Sequence, residues 1–309
     1  MKIKSLIVLT LCMAMLCLAG CSMKAPEKVS TDDSPLKVIA SFYPMADFAD
    51  KIGGDNIAVQ CLVSLGMEAH DWEPTTADIA LLEEADLFII NGAGMEPWAT
   101  DLLQTLSNKN LVVVNTSEGL DLLENDESHD GHDHGDQDPH VWLNPLYAKQ
   151  QMSMIMEALK ELDATNSKTY QDNYEKWANK CEELDQNYRE TLSPLNHKDI
   201  LVSHQAFGYL CNAYGLNQIA IEGLSPEGEP NPARMAEIID FMNKHQTKVI
   251  FYEENTSSKV AEAIARDTGA KTMVLNPLES LSQEQLDAGE DYFSIMTANL
   301  KGLQEALSD

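Results

Sequence analysis

Three histidines and one glutamate stand in settings that suggest joint chemistry. His70 lies in GMEAHDWEP, His140 in DQDPHVWLNP, His204 ends DILVSH, and Glu279 sits in NPLESL. Three imidazoles and a carboxylate form a donor set that suits Zn²⁺, which takes N and O ligands in a tetrahedron. Imidazole also serves nickel, copper and iron, whereas a manganese site is more comfortable with extra carboxylate. The separations of 70, 64 and 75 residues between these positions match no short zinc motif. On residues alone, a joint site and four separately hydrogen-bonded side chains both stay open. Asp71, Glu73, Asp138 and Asn144 are placed to accept from outer ring nitrogens and fix tautomers. Glu253 and Glu254 have two readings open, a place on the rim of a cleft or a solvated strand end without function. His129, His132 and His134 crowd into ENDESHDGHDHGDQ, either a weak collector of metal or a mobile acidic loop.

What must position these groups is a pattern of alternating strand and helix. The first half reads as strands at LKVIASFYP, IAVQCLV, DLFIIN and LVVVN, with helices near 44–53, 76–84 and 95–107. Thr75 or Thr76 is expected to cap the second helix, with Asp78 at its positive end. The second half repeats the pattern with DILVSH, LNQIAIEG, KVIFYEE and AKTMVLN, and helices at AFGYLCNAY, from Pro232, near 258–267 and near 292–307. Asn231 is expected to cap the Pro232 helix, and Gly269 to stop the one after it. Nearly continuous apolar runs are how strands look when helices cover both faces of a parallel sheet. Between the halves, Tyr170, Tyr174, Trp177, Cys181, Leu184, Tyr188 and Leu192 recur at spacings of four and three. That stripe predicts one helix over 167–192, roughly 39 Å long at ~1.5 Å per residue. The expected architecture is α/β: two lobes, each a four-stranded parallel sheet flanked by helices, joined by one long rigid helix. Its divisions are a signal at 1–20, a tether at 21–35, an N-terminal lobe at 36–165, the connecting helix at 166–194 and a C-terminal lobe at 195–309. His70, His140, His204 and Glu279 then all follow strands, two from each lobe, where open parallel sheets place binding residues.

The start, MKIKSLIVLTLCMAMLCLAGC, has two lysines, an apolar run and small residues before Cys21, the form of a secretion signal. Its LAGC ending resembles the bacterial lipoprotein signal, which implies a lipid anchor on Cys21. Loss of residues 1–20 removes Lys2 and Lys4 from the 21 basic residues and none of the 50 acidic ones, leaving a formal charge of −31. Such a surface repels nucleic acid and does not seek anionic lipid, so membrane attachment falls to Cys21. Cys61, Cys181 and Cys211 remain, without a CxxC pair, and read as small buried hydrophobes.

GMEAHDWEPTTADIALLEEADLFIINGAGMEPW, DPHVWLNP, VSHQAFGYL and LESLSQEQLDAGEDYFSIMTANLKGL together resemble the metal-binding lipoproteins of bacterial zinc and manganese ABC importers, their zinc branch above all. The resemblance runs from about residue 37 onward. It implies two lobes joined by a long helix, with His70, His140, His204 and Glu279 as the ligands of Zn²⁺. At His204 the manganese-type members put a glutamate. Zinc members often carry a longer histidine-rich loop than the one here. By the same resemblance the loaded protein, expected to be a monomer, docks on a membrane-embedded ABC permease at the extracellular face, or in the periplasm of a cell with an outer membrane. Four protein ligands would close a tetrahedron that a hydrolytic site leaves open, and no HExxH, GxSxG or P-loop is present. An enzyme is therefore not expected. The other readings are a manganese or iron import receptor, a secreted zinc-dependent hydrolase and a zinc-stabilised adhesin. Because the ligands must be unprotonated, affinity is expected to fall as pH drops through the histidine range.

Overall fold

Residues 34–124, 137–224, 232–254 and 258–308 are described in a computed structural model of the chain. The signal, Cys21, the tether up to residue 33, the three histidines of the 125–136 segment and the capping role of Asn231 lie outside these residues.

In the N-terminal half the strands are β1 (Leu36–Ala40), β2 (Ile57–Cys61), β3 (Leu87–Ile90) and β4 (Val112–Asn115). They form one sheet in the order β2-β1-β3-β4, every pair parallel, with Val38 between Val59 and Leu87. Helices α1 (Tyr43–Gly53), α2 (Thr76–Glu84), α3 (Ala99–Thr105) and α4 (Pro145–Leu162) accompany it. The C-terminal half repeats the order as β6-β5-β7-β8, with β5 (Asp199–Val202), β6 (Asn217–Ala220), β7 (Val249–Tyr252) and β8 (Lys271–Val274). Its helices are α6 (Gly208–Tyr214), α7 (Pro232–His245), α8 (Lys259–Thr268), α9 (Gln283–Asp287) and α10 (Tyr292–Leu307). Parallel strands need crossover connections, and the apolar runs of β1, β3 and β5 are buried because those helices cover them.

Helix α5 (Ser167–Leu192) joins the two sheets. Tyr170, Cys181, Leu184, Tyr188 and Leu192 are buried along its predicted stripe, with Tyr174 and Trp177 half-buried. It packs along α1 and α4 of the first half and α10 of the second. Tyr188 Oη donates to the Met296 carbonyl at 2.7 Å, so the stripe is also satisfied where it becomes polar. One apolar core extends from Val38 to Leu307, through both halves. A second, smaller core lies between Leu201 and Ile250 of the C-terminal sheet and Ile238, Met242, Ala261 and Ile264 of α7 and α8.

Two further contacts join the halves. Lys51 of α1 lies 2.7 Å from Asp47 and 2.9 Å from Asp291, the N-cap of α10, with its ammonium 4.8 Å from the Trp177 ring centre. Tyr292 Oη donates to the Trp142 carbonyl at 2.7 Å inside the core. Tyr292→Phe leaves that buried carbonyl without its partner, so a loss of about 1–2 kcal/mol is expected in chemical denaturation; a loss below about 0.3 kcal/mol would show that the bond contributes nothing net.

Helix α3 is shorter than the 95–107 span expected. Glu96 turns back to accept from the backbone N–H of Asn91 at 2.8 Å and of Gly92 at 2.9 Å, and Ala93 and Gly94 adopt positive φ. That turn occupies the residues that would have started the helix. At its other end, Glu83 takes the N–H groups of Ser107 and Asn108.

Candidate metal centre

All four predicted groups converge at the carboxyl ends of the strands. His70, His140, His204 and Glu279 each offer one ligand atom, and these atoms lie within 4.8 Å of one another. His70 Nε2 and His140 Nε2 are 3.2 Å apart. Glu279 Oε1 is 3.2 Å from His140 Nε2 and 3.5 Å from His70 Nε2. A tetrahedron with bonds of ~2.0–2.1 Å has edges of about 3.4 Å, so three of the four groups outline one face of a zinc site. Glu279 Oε1 is buried without a well-formed hydrogen bond, the condition of an oxygen that a cation would satisfy.

Each group is held by its own local structure. His140 follows Asp138, whose Oδ1 accepts from the His140 backbone N–H at 2.9 Å and faces the ring Nδ1 at 2.7 Å. That leaves Nε2 turned toward Glu279. The Pro139 carbonyl accepts from Asn91 Nδ2 at 2.9 Å, and Gln151 Nε2 donates to Asn91 Oδ1 at 2.9 Å. Val141, Trp142 and Leu143 are fully buried in a 3-10 turn, so the backbone under His140 is fixed on both sides. From the other half, Tyr209 Oη donates to the Asp138 carbonyl at 2.8 Å and accepts from the Leu123 N–H at 2.9 Å. Gly208 allows this approach, because a Cβ there would meet Asp138 Oδ2 at 2.4 Å.

Glu279 sits on a turn with a backbone cost. Leu278 has φ 65°, a conformation that disfavours a branched residue. It is kept there by complete burial and by its N–H, which donates to Asn276 Oδ1 at 2.7 Å. Asn276 is in turn paired through its backbone with the Asn299 side chain at 2.9 and 2.7 Å. Trp142 Nε1 donates to the Pro277 carbonyl at 2.7 Å, which ties the His140 turn to the Glu279 turn across the two halves.

His70 is held more lightly. Its backbone N–H reaches Glu68 Oε1 at 3.3 Å, and Gly66 N–H donates to Ser280 Oγ at 2.7 Å. His204 is the group that has not joined the tetrahedral face. Its Nδ1 lies 2.7 Å from Glu253 Oε1, its Nε2 lies 2.7 Å from the Leu224 carbonyl, and Nδ1 is 3.8 Å from Glu279 Oε1.

Electrostatics separate the histidines. Burial alone would lower the His204 pKa, but the carboxylates of Glu253 and Glu279 and the Leu224 carbonyl raise it to about 10. Burial likewise opposes the rise at His140, where Asp138 and Glu279 prevail. At His70 burial prevails, helped by repulsion from the other two rings, and its pKa is lowered. Glu279 is buried, yet the three histidines hold it well below the carboxylate range. Glu68 is pushed up to about 8 by burial and by its neighbour Glu279.

Of the expected supporting groups, Asp138 is in place. Asn144 instead caps α4 by accepting from Leu146 N–H at 2.9 Å, and Asp71 and Glu73 are exposed. Of the two readings open for Glu253, the solvated strand end does not hold, because this residue is 5% exposed and bonded to His204. A signal for it exists in the parallel register. Leu201 pairs with Ile250 and Val202 with Phe251, so two more steps set His204 beside Glu253.

A hollow of about 20 Å³ lies between Met67, Glu68, Glu253, Glu254 and Glu279, room for about one water-sized particle. A larger hollow of about 340 Å³ opens at the opposite end of the C-terminal strands, by Asp199 and Val249, away from these groups.

The family described as ZnuA, zinc-uptake complex component A, periplasmic, matches residues 38–306. The high-affinity zinc uptake system protein ZnuA of Bacillus subtilis is 39% identical over 314 residues, covering 99% of this chain and 98% of that protein. The zinc-binding lipoprotein AdcA of Streptococcus pneumoniae is 37% identical over 99% of this chain but only 61% of its own length. Among solved structures, the Zn(II)-bound ZnuA-like domain of that AdcA is similar with a TM-score of 0.79 and 36% identity, covering 89% of this chain and 100% of the domain.

Proposed function

The chain belongs to the ZnuA family of zinc-uptake complex components, and from that premise we propose that it captures Zn²⁺ outside the cytoplasm and delivers it to an ABC permease, with His70, His140, His204 and Glu279 as the ligands. Zinc is the cargo, and the protein is a binding receptor with no reaction of its own. The observation that carries this reading is the convergence of three imidazoles and one carboxylate from strand ends of both sheets. The three atoms already at tetrahedral spacing would dehydrate the ion first, and His204 would complete the shell. His204 also favours zinc over manganese, for which a further carboxylate would be the better donor.

The reading includes a lipid anchor on Cys21 and action as a monomer, with an N-terminal lobe over 36–165, a connecting helix over 166–194 and a C-terminal lobe over 195–309. No helix among the described residues is long and apolar enough to cross a membrane. Elemental analysis of the purified mature chain, followed by competitive titration with zinc and manganese, tests the function. Zinc at one equivalent and a strong preference over manganese are expected; preference for manganese would replace the reading with its nearest rival.

His129, His132 and His134 are proposed to collect zinc weakly ahead of the main site. Deletion of residues 129–134 is expected to slow uptake at scarce zinc while changing equilibrium affinity less than about threefold, because no ligand of the main shell is removed. A large loss of affinity in the same titration would contradict that separation.

A further inference from the structure

His204 and His140 are built alike on one side and differently on the other. In each ring Nδ1 lies 2.7 Å from a buried carboxylate oxygen, Asp138 for His140 and Glu253 for His204. The two carboxylates are each 5% exposed. On the far side, His140 Nε2 faces Glu279 and His70, whereas His204 Nε2 faces the carbonyl of Leu224 at 2.7 Å. His204 is therefore occupied at both nitrogens, and one of those contacts must be given up before it can take an ion.

Bonds to a carboxylate are roughly twice as strong as bonds to a neutral carbonyl. The contact to Leu224 is thus the one surrendered, and the contact to Glu253 the one retained. We propose that Glu253 is the positioning residue of His204: it keeps the proton on Nδ1, presents Nε2 to the ion, and adds a fixed negative charge behind the ring. This rests on His204 being a zinc ligand. Asp138 does the same for His140 from the other half, so the two halves support the ion with one device each. A carboxylate behind a ligating imidazole raises the basicity of the metal-bound nitrogen and fixes the ring's orientation. Glu253 reaches this position because β5 and β7 are parallel neighbours, and its side chain touches His204 rather than solvent. The Nδ1 to Glu279 distance of 3.8 Å is too long for a hydrogen bond and does not compete with it.

The test combines Glu253→Gln, Glu253→Asp and His204→Ala, each titrated with Zn²⁺ alone against a competing chelator, with ¹⁵N NMR of the histidine rings in the unmodified zinc-loaded protein. Glu253→Gln is expected to weaken zinc binding roughly 10–100-fold, with partial rescue by Glu253→Asp. The zinc-loaded spectrum is expected to show His204 protonated at Nδ1 and ligating through Nε2. Unchanged or tighter binding by Glu253→Gln, or ligation through Nδ1, would overturn the proposal, since either means that Glu253 competes with the ion or stands aside. If His204→Ala binds zinc as the unmodified protein does, the ligand assignment itself fails. If His204→Ala loses binding and Glu253→Gln does not, only the positioning role fails. Should Glu253→Gln not fold, the ring spectrum of the unmodified protein decides alone.

Discussion

Replacing His140 with alanine is expected to lower zinc affinity by roughly two to three orders of magnitude while the metal-free protein stays folded. Four-ligand zinc sites bind with about 10–16 kcal/mol, so an equal share is about 2.5–4 kcal/mol per ligand, and each 1.4 kcal/mol is about tenfold. His140 is the proposed ligand with the firmest support, because its turn is fixed by Asn91, Asp138, Tyr209 and Trp142. Its loss removes two of the three atoms' closest contacts, those to His70 and to Glu279. The fold should survive, since Val141, Trp142 and Leu143 keep the segment in the core and the backbone N–H still donates to Asp138. Competition titration and far-ultraviolet circular dichroism of the same sample measure both parts. A change of less than tenfold would remove His140 from the shell. Collapse of the unmodified protein on chelation would instead favour a zinc that serves only folding.

The strands and the connecting helix were legible because burial writes directly onto composition. A strand covered on both faces must be apolar throughout, as LFII in β3 is, and a helix buried on one side must repeat as the stripe of α5 does. The four candidate groups could be picked out from their place after strands once the sheets were known to be parallel, and resemblance to a family suggested their joint use. Support between segments was not. The link from Trp142 to Pro277 spans 135 residues, and that from Tyr209 to Asp138 spans 71. No local pattern records such pairs. Glu253 was hidden for another reason: two acids ending a strand look solvated, and only the register of β5 on β7 shows that the first of them meets a histidine. The shortened α3 shows the same limit, since helix propensity over 95–98 yields to a carboxylate that closes its own turn.

Zinc binding is expected to release a proton from His204 at every pH below about 10, so affinity should rise about tenfold per pH unit across neutrality and above. Burial opposes the charged ring, yet Glu253, Glu279 and the Leu224 carbonyl raise the His204 pKa to about 10, and a doubly protonated ring has no lone pair to give. His140, also raised, adds a second proton as pH falls through its own value, whereas His70 is lowered and stays ready to bind. Affinity should therefore keep climbing above the ordinary histidine range, where four unperturbed ligands would already have levelled off. The metal-free fold responds with the opposite sign. A group whose pKa is raised by folding stabilises fully below its unfolded value of 6.5 and ceases to do so as pH rises through about 10. The melting temperature of the empty protein should thus fall over that window while the shift produced by added zinc grows. Calorimetry at pH 8 in two buffers of different ionisation enthalpy counts the protons directly. At least one per ion is expected, and a count near zero would mean that His204 meets the ion already neutral.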